Sequence, residues 1–368
     1  MGKKVAIMSM QRVINYGSFL QAYGLKTLLE EQGHTVEFVD IKPGQQRDFG
    51  KREIEKIGYK RYTGLKRLLA VMDKYFIKRC IGQLYQKRLV KLFRQKHQQQ
   101  LGMTAQIVTD IPCDTLVIGS DEVFNCAQAT PWGVATCLLG DYPMAQRVIT
   151  YAASCGFTTS EDLPEDVQQT VRDCFGKISA FSVRDSNTHN FVGALSDQTI
   201  LEHLDPVLAA DFTDHRKKYS FNKPYILVYA YTNRINLPEE IAAIQTFAKK
   251  KGLKTVSVGG YQCWCDHNLL VEPLELFDLF QGAAYVVTDT FHGTVIAAKM
   301  NTPFATIVRE SNRNKLEDLI RRLGMQRRVV TDISDLEQVL LEKVDFEPLN
   351  AELARQRVLT QNYLKNNV

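Results

Sequence analysis

The sequence lacks the features that mark several large protein classes. No run of its 368 residues approaches the roughly 18 consecutive apolar residues of a membrane-spanning helix. The amino-terminal stretch has too few consecutive apolar residues for a secretory signal peptide. The eight cysteines are scattered without a CxxC pair, so a zinc site at Cys263, Cys265 and His267 is a weaker hypothesis than free loop thiols. These absences predict a cytoplasmic protein with reduced cysteines and no metal.

Common nucleotide-binding and hydrolase motifs are absent as well. No GxGxxG follows the first predicted strand, and the sequence contains no GxxxxGK[ST], HExxH or GxSxG. With 45% hydrophobic and 24% charged residues, the chain is nevertheless an ordinary globular sequence and not a disordered one. Its length exceeds the roughly 250–300 residues at which single cores stop growing, which favours two domains.

Basic residues are concentrated in one segment. Residues 51–100 contain 15 Lys and Arg against three acids, a local charge of +12, whereas the whole chain carries +5 and the remainder therefore −7. Such a segment suits an anionic partner such as a phosphate-bearing lipid, a charged glycan or nucleic acid, or it is simply a solvated helical face. No nucleic-acid-binding signature accompanies it, so we expect no nucleic acid partner.

Alternating strand and helix patterns predict an α/β fold in two halves, separated by a polar break at 211–223. We expect two Rossmann-like domains facing a cleft, over residues 1–210 and 211–345, and a helix over 346–368 that returns to the first domain. The predicted strands are 4–8, 34–41, 114–119, 146–153, 178–183, 225–231, 253–258, 284–288 and 304–308. The predicted helices are 17–32, 165–175, 238–251, 274–281, 293–300 and 314–323.

The strongest candidate site is the loop TDTFHGT, residues 288–294, between a buried strand and a helix. A helix start places free N–H groups and a positive helix end at one point, which suits an anion. His292 can bind that anion or exchange a proton, and Gly293 would let it approach the backbone. Asp289 and Thr290 complete the predicted binding loop. The alternative is local, with Thr290 as a helix cap and His292 as a packed cap residue.

Several cations also follow predicted strands. Arg184 ends the strand in SVRD and suits a carboxylate or phosphate through its bidentate guanidinium, unless it forms a structural network with Asp185. After PFATIV come Arg309, Arg313 and Lys315, which could hold a phosphate or simply begin a basic helix.

Two polar loops in the first half suit an uncharged ligand. Asp121 and Asn125, in GSDEVFN, are placed to orient sugar hydroxyls, or alternatively to form a local turn. Asn15 and Gly17, in NYGS, leave the first strand and could line the same side of the cleft.

Taken in order, the motifs NYGSFLQAYGL, VIGSDEVFN, FSVRD, LDPVL and VVTDTFHGTVIAAKMNTPFATI resemble the polysaccharide pyruvyl transferase family. The resemblance runs from about residue 4 to about 325 and includes NRNKLEDLIRRLGM. It implies a GT-B-like fold and an enzyme that needs neither metal nor cofactor. It also implies transfer of pyruvate from phosphoenolpyruvate to a sugar of a polysaccharide, or of its lipid-linked precursor, as a ketal with release of phosphate.

The resemblance also implies roles for individual residues. Arg184 and His292 match positions implicated in donor binding and catalysis, and His292 is the candidate acid and base. Lys315 is the best match to a further cation, with Arg309 and Arg313 as rivals. The NYGS and GSDEVFN loops would face the acceptor. The basic segment 51–100 is the least family-like part of the chain, and our own hypothesis is that it contacts the inner face of a membrane. A nucleotide-sugar glycosyltransferase and a non-catalytic partner in polysaccharide assembly are the alternative functions.

Overall fold

The computed structural model describes residues 2–47, 49, 74–127, 132–232 and 234–368, and within these the chain forms two parallel six-stranded sheets. Residues 51–73, the first half of the basic segment, lie outside the described residues. The first sheet contains β1 Lys4–Met8, β2 Thr35–Phe38, β3 Cys113–Asp121, β4 Ala145–Ala153, β5 Phe181–Val183 and β6 Ile200–Glu202. The second contains β7 Tyr225–Tyr229, β8 Lys254–Val258, β9 His267–Asn268, β10 Tyr285–Thr288, β11 Phe304–Ile307 and β12 Val329–Val330.

Helices connect these strands and cover both faces of each sheet. They are α1 Tyr16–Glu30, α2 Lys74–Leu92, α3 Glu165–Phe175, α4 Ser186–Gly193, α5 Pro206–Ala209, α6 Pro238–Lys251, α7 Leu276–Gln281, α8 Phe291–Lys299, α9 Arg313–Arg322, α10 Leu336–Leu341 and α11 Glu347–Asn367. A π-helical turn, Phe93–His97, and the short helix Gln98–Gln100 continue α2. Within the described residues no helix is long and apolar enough to cross a membrane.

The strand orders place a topological switch point in each sheet. The first sheet runs β2-β1-β3-β4-β5-β6 and the second runs β12-β11-β10-β7-β8-β9, so the order reverses at β1/β3 and at β7/β10. Ligands of open parallel sheets bind at such points, beyond the carboxyl ends of the strands. The loops after β1, β3, β7 and β10 are therefore the ones expected to carry a site.

One hydrophobic core joins the two halves of the molecule. Its largest cluster includes residues of both sheets, whereas two further clusters cover the outer face of each sheet separately. Phe212, within the polar break at 211–223, is buried against Phe277 of the second domain at 4.6 Å between ring centroids. The connection between the halves is therefore anchored in the core and is not a free linker.

The carboxyl-terminal helix α11 packs on the first sheet. Tyr363 donates a hydrogen bond to the carbonyl of Thr150 at 2.7 Å, and Leu364 is fully buried. At the chain end, the carbonyl of Val368 accepts from Lys3 Nζ at 2.5 Å. These contacts tie the last residues of the chain to the first strand and its neighbours.

Helix α2 places the second half of the basic segment across both domains. Phe93, in the turn that continues it, contacts Tyr16 of α1 at 5.2 Å between ring centroids. Tyr85 donates to the carbonyl of Leu269 in the second domain at 2.8 Å. The buried positions recur at helical spacing, as expected for an amphipathic helix: Gly82, Tyr85, Leu89, Phe93 and His97.

The predicted α/β class with two Rossmann-like domains facing a cleft is confirmed. Helices α3 and α6 have the predicted bounds, and most strands are shorter than predicted by one to four residues. Sequence reasoning missed the shortest elements, β6, β9 and β12, and the helices α4 and α10. The exact domain boundaries at 210 and 345 remain a prediction.

Candidate active site

The two switch points meet across the cleft through a direct hydrogen bond. Asn15 caps the start of α1 by accepting from the amides of Gly17 at 2.6 Å and Ser18 at 3.3 Å. Its Nδ2 then donates to the hydroxyl of Tyr231 at 3.0 Å, and Tyr231 follows β7 in the second domain. The loops after the central strands of both sheets are thus in contact.

The start of α8 lies against the start of α1. Thr290 caps α8 by accepting from the amide of Gly293 at 2.9 Å, and the helix begins at Phe291, two residues before the predicted start. His292 is therefore in the first helical turn and not in a preceding loop. A Cβ atom on Gly17 would lie 2.2 Å from His292 Nδ1, so Gly17 permits this close approach of the two helices.

Packing requires a glycine at position 293, which the sequence alone did not indicate. A Cβ atom at this position would lie 2.1 Å from the Oγ1 of Thr288 in β10, and its amide is taken by Thr290. The glycine is required by packing inside its own domain, and the expectation that it lets an anion approach the backbone stays a prediction. The first-turn amides of Phe291 and His292 precede it, and helix geometry gives such amides no partner within the helix.

A buried carboxylate organises the candidate catalytic residues. Asp205 Oδ2 accepts from Arg184 Nη1 at 3.0 Å and lies 3.5 Å from His292 Nε2. Its Oδ1 accepts from the amide of Val207 at the start of α5. Burial alone would raise the pKa of Asp205, but His292 and Arg184 outweigh it and lower this pKa to about 2. Asp205 lies in LDPVL and was not among the predicted site residues.

Arg184 is fixed from several sides. Its guanidinium lies over the ring of Phe291 at 4.4 Å, and its carbonyl accepts from Arg322 of α9 at 2.6 Å. Burial opposes the charge, yet the surrounding carboxylates, Asp205 first, raise the pKa of Arg184. Its Nε and the Nε2 of His292 are buried without a hydrogen-bond partner among the described residues. His292 Nε2 faces Asp205 at 3.5 Å, whereas a buried polar atom without a partner, such as Arg184 Nε, needs an explanation such as a bound ligand or water.

Lys315 reaches across the cleft to the first domain. Its Nζ donates to Glu122 Oε1 at 2.5 Å, and the other carboxylate oxygen accepts from Asn125 Nδ2 at 2.8 Å. Burial would raise the pKa of Glu122, but Lys315 dominates and lowers it to about 2. Asn125 accepts in turn from Thr158 at 2.7 Å. Asn125 thus supports Glu122, another residue that sequence reasoning did not single out.

The remaining predicted residues divide between structural and surface positions. Asp121 accepts from Ser18 of α1 at 2.8 Å and from the amide of Glu122 at 3.0 Å. Arg309 forms ion pairs within the second domain, with Asp289 at 3.2 Å and with Glu240 at 2.5 Å.

Asp289 and Arg313 have different surroundings. Burial raises the pKa of Asp289, whose Oδ1 has no hydrogen-bond partner among the described residues. The side chain of Arg313 is half exposed and pairs with Glu310 and Glu317 of its own helical segment, outside the cleft. Of the three rival cations, Lys315 is therefore the one that enters the candidate site.

No group of three or more His, Cys, Asp or Glu side chains among the described residues has an arrangement that could hold a metal ion. Oppositely charged side chains face each other in the cleft. Arg184 and Lys315 supply positive charge, Asp205 and Glu122 supply negative charge, and His292 lies between the two domains.

Fold and site together define a two-domain α/β protein whose buried charged residues meet between the two sheets. The family model for polysaccharide pyruvyl transferases matches residues 15–311, and the chain belongs to that family. The match includes Asn15, Arg184, Asp205 and His292. No curated protein sequence matches the chain.

Solved structures share the fold at low identity. A putative UDP-N-acetylglucosamine 2-epimerase from Listeria monocytogenes has a TM-score of 0.52 and 11% identity, over 99% of this chain and 95% of that chain. The S. aureus protein MnaA, solved with UDP, has a TM-score of 0.49 and 11% identity, over 100% and 98%. The calicheamicin glycosyltransferase CalG4 has a TM-score of 0.45 and 11% identity, over 99% and 97%. The fold is GT-B-like, and at this identity the likeness shows the fold alone.

Proposed function

We propose that the protein transfers pyruvate from phosphoenolpyruvate to a sugar of a polysaccharide, or of its lipid-linked precursor, forming a ketal and releasing phosphate. One observation carries the proposal. Arg184 and His292 share the buried carboxylate of Asp205, Lys315 lies close enough to Arg184 for their charges to interact, and the Nε of Arg184 is buried without a hydrogen-bond partner among the described residues. Family membership supports polysaccharide pyruvylation as the use of this cleft.

The charge of the donor explains why such a cluster is needed. Phosphoenolpyruvate carries a carboxylate and a phosphate, whereas an exposed helix start contributes only about 0.3–1 kcal/mol per anion. Arginine and lysine side chains therefore have to provide most of the compensating charge. In the proposed complex, Arg184 and Lys315 hold the two anionic groups, and the first-turn amides of α8 contribute further donors. The proposed reaction takes its charge compensation from protein groups.

The chemistry requires one acid and two sugar hydroxyls. Protonation of the donor methylene carbon makes it a methyl group and leaves an oxocarbenium-like centre at the neighbouring carbon. One hydroxyl adds to this centre and gives up its proton, which restores the acid. The second hydroxyl then displaces phosphate, which leaves with the remaining proton, and closes the ketal.

His292 is the proposed acid and base of this sequence. A well-placed group of this kind contributes about 10²–10⁴-fold to the rate. Asp205 Oδ2 lies 3.5 Å from its Nε2, so a histidine cation formed during the reaction faces a carboxylate. Asp205 also holds Arg184, and one carboxylate thereby positions both groups.

The acceptor is proposed to enter from the first domain, along Asn15, Gly17 and Asp121. The hydroxyl of Tyr231 lies on the same path, 3.0 Å from Asn15. We further propose a cytoplasmic location at the inner face of the membrane, because the exposed side chains described in α2, from residue 80 onwards, include cations and no acid. Its exposed residues include Ile81, Leu84, Lys87, Arg88, Lys91 and, in the following turn, Arg94.

A product assay tests this function. Purified protein is incubated with ¹³C-labelled phosphoenolpyruvate and a panel of glycans that offer neighbouring hydroxyl pairs, and released phosphate and glycan-bound label are both measured. We expect the two to appear in equal amounts with wild type and to be abolished in His292→Ala. Transfer of sugar from a nucleotide sugar, without label from phosphoenolpyruvate, would establish the glycosyltransferase instead.

A further inference from the structure

Glu122 forms an ion pair with Lys315, a cation that the proposed donor needs. It belongs to the loop after β3 in the first domain, while its partner Lys315 belongs to α9 of the second. The two form an ion pair of 2.5 Å with side chains only 17% and 22% exposed. A carboxylate so close to Lys315 competes directly with any anion that enters the cleft.

The carboxylate is held more firmly than the lysine. Asn125 donates to Glu122 Oε2 at 2.8 Å, and Asn125 is itself fixed by Thr158. Behind it, a Cβ atom on Gly156 would lie 2.7 Å from the same oxygen, so this side of Glu122 is closely packed. Lys315 by contrast is a point charge on a flexible four-carbon chain. Any exchange of partners is therefore made by Lys315.

Such an exchange does not require the cleft to open. Further contacts among the described residues connect α9 with the first domain: Ser186 donates to Asp318 at 2.8 Å, and Arg322 donates to the carbonyl of Arg184 at 2.6 Å and lies 4.0 Å from Glu202. These bonds keep α9 in place when Lys315 changes its partner. The ion pair is thus a local switch between two anions.

We infer that Glu122 is an internal counter-ion, which holds Lys315 while the cleft is empty and is replaced there by the phosphate of the donor. This inference rests on the proposed function. It makes Glu122 a specificity-determining residue, because a phosphate monoester, with nearly two negative charges, outcompetes one carboxylate more readily than a singly charged ligand does. Phosphoenolpyruvate is then accepted, and free pyruvate is rejected.

Calorimetric titration of Glu122→Gln tests the inference. Glutamine has the same shape and can still accept from either Asn125 or Lys315 through its one carbonyl oxygen, but it lacks the competing charge. We expect phosphoenolpyruvate to bind about tenfold more tightly than to wild type, equal to about 1.4 kcal/mol, and pyruvate binding to become measurable. Glu317→Gln is the matched control, since Glu317 pairs with Arg313 on the outer side of the same helix, and it should leave both affinities unchanged.

The outcomes separate this inference from the proposed function. Phosphoenolpyruvate binding to wild type with equal or weaker binding to Glu122→Gln overturns the counter-ion role and leaves the function standing. If no form binds phosphoenolpyruvate, the proposed donor is wrong, and inorganic phosphate becomes the probe. Tighter phosphate binding by the variant then supports the inference, and equal or undetectable binding in both forms overturns it. If Glu122→Gln does not fold, Glu122→Asp, which withdraws the carboxylate, is predicted to act in the same direction.

Discussion

Asp205 is the residue on which the candidate site depends most. It is completely buried, and it pairs with an equally buried Arg184. Removing one partner of a buried ion pair leaves an uncompensated charge and costs about 3–5 kcal/mol. We therefore predict that Asp205→Asn lowers the free energy of unfolding by about 3 kcal/mol, measured by urea denaturation at pH 7, and that it weakens donor binding as well.

The destabilisation by Asp205→Asn depends on pH, because the pKa of Asp205 is lowered to about 2. A carboxyl whose folded pKa is depressed stabilises the protein above its unfolded value, near 4, and loses this contribution as the pH falls towards 2. The difference between wild type and Asp205→Asn should shrink over that range. The control is Asp166→Asn. Because the ion pair of Asp166 with Arg47 is exposed, we expect this variant to lower the free energy of unfolding by less than about 1 kcal/mol at any pH. An equal effect of both variants contradicts the account.

Sequence reasoning found these positions unevenly, for a physical reason. Arg184 and His292 both follow the carboxyl ends of buried strands, although only His292 follows a strand at a topological switch point. Arg313 and Lys315 could not be ranked from sequence, yet two residues turn a helix by about 200°, so one enters the cleft and the other faces solvent. Asp205 and Glu122 were inside quoted motifs but escaped notice, because the cations opposite them come from distant parts of the chain.

At the scale of elements, the contact between the starts of α1 and α8 positions His292. A methyl group on Gly17 would meet the imidazole ring, with its nearest atom at 2.2 Å. Gly17→Ala is therefore predicted to displace His292 and to reduce turnover at least tenfold, while the protein stays folded. Activity and melting temperature are measured together. Gly193→Ala is the control, because its Cβ would meet only Ile200 at 3.8 Å, and it should keep full activity.

The opposite end of α8 joins the two domains through Lys299. Its ammonium group donates to the carbonyls of Leu208 at 3.3 Å and Ala210 at 2.8 Å, at the end of α5. Burial lowers the pKa of Lys299 to about 8. Helices α5 and α8 thus run from the hinge to the site, since Asp205 caps the start of α5 and His292 lies in the first turn of α8.

Alkaline titration tests this placement of Lys299. An unfolded lysine keeps its proton up to about pH 10.4, so between pH 8 and 10 the unfolded chain binds more protons at this position. The contribution of Lys299 to stability therefore rises with pH. We predict that the free energy of unfolding of Lys299→Met, taken relative to that of wild type, is highest near pH 7 and declines towards pH 10. Urea unfolding at each pH measures it. A difference independent of pH would show that the amine is solvated.

Element boundaries show where local sequence patterns suffice. Buried strands such as β1 and β7 were identified because consecutive apolar residues are easily recognised. β9 and β12 have only two residues each and are defined by pairing with a neighbouring strand, which a local pattern does not encode. The start of α8 was placed two residues late because Phe291 and His292 are not typical helix-start residues.

At the scale of the whole molecule, the outward face of α2 is the surface that we propose for membrane contact. Replacing Lys87, Arg88 and Lys91 by Glu is predicted to reduce binding to vesicles with anionic lipid at least tenfold at low salt, since each cation near such a surface is worth about 1 kcal/mol. The matched control replaces Lys249, Lys250 and Lys251 by Glu. It changes the net charge by the same amount, but at the end of α6. Equal loss in both variants would show that net charge, and not this face, governs binding.

The proposed function requires the cleft between the two sheets to bind phosphoenolpyruvate through Arg184, His292 and Lys315. Calorimetric titration of phosphoenolpyruvate, and separately of UDP, into wild type and His292→Ala tests it most directly. The account predicts that wild type binds phosphoenolpyruvate, that His292→Ala binds it at least tenfold more weakly, and that UDP gives no signal. Binding of UDP without binding of phosphoenolpyruvate would contradict the account and identify the cleft as a nucleotide site.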